Sequence, residues 1–186
     1  MPIHKTEFPG LFVIEPIVFE DARGYFFESF NQKVFESEGL SFNWVQDNQS
    51  RSSYGVVRGL HYQLNPYSQA KLVRVFSGKI LDVAVDLRKG SPTYGKCYCI
   101  ELSDLNRLQL LIPKGFAHGF SVLTPTAEVF YKCDELYNKA AEASIIYNDP
   151  LLKIDWKIPA ADIILSEKDT IHPVFTESRQ NFEFEG

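Results

Sequence analysis

The sequence predicts an all-β protein with a few short helices, and three observations carry that prediction. Aromatic residues make up 14% of the chain, with 15 Phe and 9 Tyr against a single Met, and aromatic side chains suit pleated, half-buried surfaces better than helices. Turn signals recur at short spacing. Between them lie segments of β type, a pattern that reads as an antiparallel sandwich or barrel.

In chain order, Pro9-Gly10 and Asp21-Ala22-Arg23-Gly24 bound the first β segment, Leu11–Phe19. A helix follows: Asn31 caps it, Val34 and Phe35 face inward, and Gly39 stands where a C-terminal glycine belongs. Further β segments run over Val56–Gln63, Lys71–Phe76, Lys79–Leu87, Tyr94–Leu102, Leu108–Ile112 and Val129–Lys132. They are separated by Asn65-Pro66, Ser77-Gly78, Lys89-Gly90-Ser91-Pro92 and Pro113-Lys114-Gly115, and Asn148-Asp149-Pro150 marks a later turn. Ser166-Glu167-Lys168-Asp169 resembles a capping box and starts a second short helix or turn. Without repeats, low-complexity segments or a linker, the 186 residues form one expected domain, 1–186.

Composition excludes several function classes. The net charge is −5 and no Lys/Arg block occurs, which argues against nucleic acid as a partner. Met1–Glu7 lacks the basic and apolar regions of a signal peptide, and no apolar run approaches the ~20 residues of a membrane span. Three cysteines without a secretion signal point to reduced thiols in the cytoplasm. Cys97 and Cys99 share a strand face at roughly 6.6–7 Å, the outer limit for a bridge, so packing is their expected role.

The segment Gly55–Gln63, the loop Leu64–Ala70 and Lys71–Val75 read as a hairpin. A turn centred on Pro66 would set His61 opposite Lys71 in a symmetric register. Strict alternation sends Arg58 to the other face from His61, unless Gly59 introduces a bulge that brings both to one side. Neutral imidazole accepts a proton near neutral pH, and a neighbouring ammonium stabilises charge developing on oxygen. The pair therefore suits proton abstraction beside a carbonyl. On spacing alone, a core histidine and a rim lysine are the favoured reading, because most isolated histidines are structural or lie at the surface.

Gly55, His61-Tyr62-Gln63 and Pro113–His118 resemble the two motifs of the cupin superfamily, small β-barrels that often hold a metal through three His and one Glu. Here only His61 and His118 match. Gln63 stands in place of the second His, and two imidazoles with an amide make a poor site, so no metal is expected.

The full set of motifs resembles the dTDP-4-dehydrorhamnose 3,5-epimerase family from about Gly10 to Asp169. The matching pieces are Asp21-x-Arg23-Gly24-x-Phe26-x-Glu28, Gln46-x-Asn48-x-Ser50, Val57–Gln63, Gln69–Val75, Gly78–Arg88, Pro113–Phe120, Tyr131-Lys132-Cys133 and Leu165–Asp169. The resemblance implies a cupin-like jelly-roll β-barrel with short peripheral helices. It implies that His61 is the base, Asp169 orients its far nitrogen, Lys71 stabilises an enolate oxygen and Tyr131 returns a proton on the opposite face. Capping at Ser166 is the competing role for Asp169, and lining a wall is that for Tyr131. Arg23, Phe26, Glu28, Gln46, Asn48, Arg58 and Tyr137 would contact the nucleotide sugar, with Phe26 stacking on thymine. His118 would be structural or stand behind the base. His4 and His172 lie in terminal segments and carry no signal.

The expected activity is metal- and cofactor-free epimerisation at C3 and C5 of dTDP-4-keto-6-deoxy-D-glucose, giving dTDP-4-dehydro-L-rhamnose for cell-surface polysaccharide. The alternatives are inversion at one centre of a related dTDP-4-keto-6-deoxy sugar, or non-catalytic binding of a sugar nucleotide. The resemblance also implies a homodimer in which the N-terminal stretch crosses to the neighbouring subunit, so that Arg23, Phe26 and Glu28 complete the partner's site. Thr170-Ile171-His172-Pro173 departs from the family, which more often has small apolar residues before the proline. Loop Asn65–Ser68 is individual as well.

Overall fold

The computed structural model describes residues 1–186. Its strands are β1 (Ile3–Lys5), β2 (Phe12–Ile14), β3 (Val18–Asp21), β4 (Gly24–Phe27), β5 (Gln46–Ser53), β6 (Val57–Gln63), β7 (Lys71–Ser77), β8 (Lys79–Asp86), β9 (Cys97–Ser103), β10 (Gln109–Ile112), β11 (Phe116–Val122), β12 (Thr126–Cys133) and β13 (Glu142–Ser144). One α-helix, α1 (Gln32–Ser37), lies between β4 and β5, and short 3₁₀ turns occupy the C-terminal third. Asn31 caps α1 as its sequence predicts, accepting from the amides of Lys33 and Val34, and Gly39 beyond the helix takes φ +76°.

The strands form two antiparallel sheets, ordered β1-β2-β10-β7-β12-β5 and β13-β6-β11-β8-β9, with β3 and β4 as a separate two-stranded arm. The architecture is the expected cupin-like jelly roll. Three apolar layers hold it together. Between the sheets, Val73, Val75, Leu110, Ile112 and Val129 meet Ile80, Ala84, Leu102, Phe116, Phe120 and Val122. The outer face of the five-stranded sheet buries Leu81, Val83, Val85 and Ala117 under Leu152, Trp156, Phe175 and Phe182 of the C-terminal segment. Phe35 of α1 covers Ile14, Leu72 and Leu111 on the far side of the six-stranded sheet.

β8 shows how this follows from the sequence. Ile80, Asp82, Ala84 and Asp86 face one way along the pleat and Leu81, Val83 and Val85 the other. Both sides are covered, so the strand reads as a nearly continuous apolar run. The two aspartates are the exceptions. Asp86 is fully buried, and Arg88, Ser91 and Thr93 satisfy it with side-chain bonds of 2.6–2.9 Å.

The hairpin expected between β6 and β7 does not form. β6 pairs with β11 and β13, whereas β7 pairs with β10 and β12, so loop Leu64–Ala70 carries the chain from one sheet to the other. His61 and Lys71 therefore belong to opposite walls of the sandwich, rather than lying side by side in one ladder. The bulge at Gly59 does form. Between the partner pairs His118–His61 and Phe120–Arg58, β6 carries one residue more than β11. Gly59 has φ +124°, and a Cβ there would lie 2.5 Å from the Cα of Gly119. A glycine in each strand thus allows the close approach that turns Arg58 and His61 to the same side.

Candidate active site

A cleft of about 330 Å³ opens at one end of the sandwich. His61 and Arg58 project into it from β6, His118 and Phe120 from β11, Lys71 from β7 and Tyr131 from β12. Tyr137, Glu142, Lys168 and Asp169 complete the rim. All four residues expected to carry the chemistry line this cleft: His61 and Asp169 on the five-stranded side, Lys71 and Tyr131 on the other.

Asp169 sits in the 3₁₀ turn Glu167–Thr170, with Ser166 as its cap. The two roles weighed against each other for Asp169 turn out to be compatible. Its backbone amide bonds Ser166 Oγ, Ser166 Oγ–H donates to Oδ2 at 2.7 Å, and Oδ1 accepts from His61 Nε2 at 2.6 Å. Burial pushes the carboxyl up, but bonds from His61 and Ser166 outweigh it and hold the group well below the usual carboxylate range. An ionised carboxylate accepts only, so the His61 hydrogen that meets it sits on Nε2, and in the neutral ring Nδ1 carries the lone pair.

His172 also reaches Asp169. Its Nε2 donates to the same Oδ1 at 3.0 Å, and its ring meets that of His61 edge-on at 5.5 Å between centroids. The expectation that His172 carries no signal is corrected here. Position in a terminal segment gave no hint that this segment folds back over β6, where Ile146 N bonds Pro173 O.

On the facing wall, the Lys71 ammonium lies 5.7 Å from the Tyr131 ring centroid. Burial lowers the Lys71 pKa, opposed by the nearby Cys133 and Asp82. Burial raises that of the Tyr131 phenol, so it is held protonated as a donor. His118 is buried and bonds Asp82 at 2.7 Å, in line with a structural role. Asp82 was missed in the sequence. The available signal was a lone acid in the apolar stretch Ile80–Val85, at the inward register that also carries Ala84.

The remaining expected contacts divide in two. Arg58 lines the cleft and bonds Ser52 Oγ through Nε; Tyr137 stands at the rim, its hydroxyl on Glu142 and its amide on Gln46. Gln46 in turn bonds Asn48, which pairs with Tyr131 in the β5–β12 ladder. Arg23, Phe26 and Glu28 lie on or beside the β3–β4 arm, outside this cleft. Arg23 is tied to Asp21 in the exposed turn, and Phe26 and Glu28 line a small hollow with Met1, Ile17 and Phe19.

The metal set of a typical cupin does not assemble. Gln63 is consumed in bracing a loop, donating to Tyr67 O and Leu136 O and accepting from Asn138 N. His118 Nε2 is turned to Asp82. These donors do not converge with His61.

A jelly roll whose interior opens into a cleft with acid–base groups on facing walls defines the class, cupin-like proton-transfer enzymes. Comparison with known proteins narrows it. The family model described as dTDP-4-dehydrorhamnose 3,5-epimerase matches residues 5–177, and the chain belongs to that family. It is 52% identical over 170 residues to the dTDP-4-dehydrorhamnose 3,5-epimerase of Shigella flexneri, covering 91% of this chain and 93% of that protein. The crystal structure of the enzyme of that name from Elizabethkingia anophelis NUHP1 is 56% identical, with TM-score 0.91 over 95% of this chain and 97% of the other. The dTDP-6-deoxy-D-glucose-3,5-epimerase of Legionella pneumophila Philadelphia 1, solved with dTDP-4-keto-L-rhamnose, is 46% identical, with TM-score 0.90 over 95% and 93% of the two chains.

Proposed function

We infer that the protein is a dTDP-4-dehydrorhamnose 3,5-epimerase, which inverts C3 and C5 of dTDP-4-keto-6-deoxy-D-glucose to give dTDP-4-dehydro-L-rhamnose. The observation that carries the mechanism is the opposition of walls, with a carboxylate-backed imidazole on one and a phenol beside an ammonium on the other. His61 Nδ1 takes the proton from the carbon next to the C4 ketone. The C–H electrons form an enolate, whose oxygen the Lys71 ammonium stabilises. Tyr131 O–H then delivers a proton to the opposite face, inverting the centre, and imidazolium and phenolate re-equilibrate with solvent before the second inversion. Asp169 stabilises the imidazolium.

Arg58, Gln46, Asn48 and Tyr137 are assigned to the sugar nucleotide, with Arg58 suited to diphosphate through its planar donor fork. The arm supports a homodimer in which Arg23, Phe26 and Glu28 enter the partner's cleft, because Phe19, Tyr25 and Phe26 leave 57–70% of their surface uncovered in the single chain. Three free cysteines, one of them exposed, support work in the reducing cytoplasm. No helix is long and apolar enough to cross a membrane.

The test is incubation with dTDP-4-keto-6-deoxyglucose in heavy water. Deuterium entering at both C3 and C5, with inversion, is the expected result. Incorporation at one carbon would identify a single-centre epimerase, and none above buffer would refute enzymatic proton abstraction.

A further inference from the structure

His172, beside the cleft, gives the His61–Asp169 pair a neighbour that the epimerisation does not use. His61, Asp169 and His172 each offer one ligand atom within 4.8 Å of the others, and both rings meet Asp169 Oδ1 through Nε2. Two imidazole nitrogens and one carboxylate oxygen are the donor set of many three-ligand zinc sites, which leave a fourth position for water. The set is also held in place. Ser166 fixes Asp169 through Oδ2, leaving Oδ1 to the two rings, and Pro173 O anchors the His172 segment on Ile146 N. Asp169 keeps 4% of its side chain exposed and His61 29%, so a buried anion meets a partly exposed ring. Donors now 2.6 and 3.0 Å apart have to spread to about 3.3 Å around a tetrahedral ion with bonds of about 2.0–2.2 Å, a shift of under about 1 Å at each contact.

We propose that His61, Asp169 and His172 form an inhibitory binding site for a zinc-like divalent cation. The chemistry explains why occupation silences the enzyme. In the free enzyme His61 carries its hydrogen on Nε2 and presents the Nδ1 lone pair to the sugar. Zinc takes the Nε2 lone pair, so the neutral ring must carry its hydrogen on Nδ1, facing the substrate. His172 shifts its hydrogen in the same way. No net proton is released, because both rings stay neutral and the carboxylate is already ionised. The base is lost through this change of tautomer. The inhibition half rests on His61 being the base, whereas the site itself does not.

The test separates the two. Zinc binding is measured by calorimetry on the substrate-free protein, with cobalt absorption as a spectroscopic check, and the rate is followed in parallel with EDTA reversal. One zinc per chain and EDTA-reversible inhibition are expected. His172→Leu should weaken both binding and inhibition by about tenfold or more, equivalent to ~1.4 kcal/mol, relative to its own zinc-free rate. His172→Cys, which restores a donor, should recover them. Binding that depends on His172 but leaves the rate unchanged would uphold the site and overturn His61 as the base. No binding by the wild type, or equal zinc sensitivity in His172→Leu, would overturn the proposal.

Discussion

Asp169→Asn isolates the charge behind the base. An asparagine fits the same volume, its Oδ1 still accepts from His61 and His172, and its Nδ2 can donate to Ser166 Oγ where Asp169 Oδ2 now accepts. The variant therefore keeps the geometry and loses the negative charge. That charge lies against a ring that becomes imidazolium as the substrate proton transfers. Two unit charges about 4 Å apart interact by ~4 kcal/mol at an effective dielectric constant of 20. A transition state carrying half to all of the imidazolium charge thus loses about 2–4 kcal/mol, or roughly 30- to 1,000-fold in kcat. The assay is the initial rate of C3 and C5 exchange in heavy water, with KM measured alongside and circular dichroism as a check on folding. KM should change little, because the buried carboxylate acts through His61, which it bonds at 2.6 Å. A folded Asp169→Asn enzyme within threefold of wild-type kcat would refute the reasoning.

Three further outcomes follow from the same structure. Tyr131→Phe removes the proton donor on the far wall but leaves His61. Deuterium should still enter the recovered substrate while its stereochemistry is retained, and inversion at the wild-type rate would contradict this. Gly59→Ala drives a Cβ to within 2.5 Å of Gly119 at a φ of +124°, so urea unfolding should show a loss of about 3 kcal/mol or more, or failure to fold. Asp86→Asn breaks a buried pair with Arg88 and should cost about 3–5 kcal/mol at neutral pH. Burial raises the Asp86 pKa, but bonds from Arg88, Ser91 and Thr93 outweigh it and leave the folded value depressed. The carboxylate's contribution is therefore fully present above the unfolded value of about 3.9 and is lost as pH falls through the folded pKa. The stability gap between wild type and variant should narrow below about pH 4; a gap that widened in acid would contradict the assignment.

Legibility in the sequence followed the physics of each segment. α1 was readable because Asn31 and Gly39 mark its ends with local conformational preferences. β8 was readable because both of its faces are buried. β5 was not, since Gln46–Ser53 is an edge strand of polar residues pairing only with β12, and it offers no apolar alternation. The β6–β7 register failed for another reason. Local symmetry about Pro66 suggests a hairpin, but the apolar residues on both segments find better burial in different sheets. His61 and Lys71 still meet at one cleft, across the sandwich. The link between His61 and Asp169 spans 108 residues of sequence, and no local pattern encodes it; the family motifs suggested it. His172 lay beyond both kinds of signal, because its place follows from how the C-terminal segment packs.

The most direct test of the central claim is deuterium exchange by His61→Ala. One imidazole serving both centres predicts that exchange at C3 and C5 falls together, by about a thousandfold or more, in a protein that keeps its fold and still binds the dTDP product. Wild-type exchange at either carbon would contradict a single base.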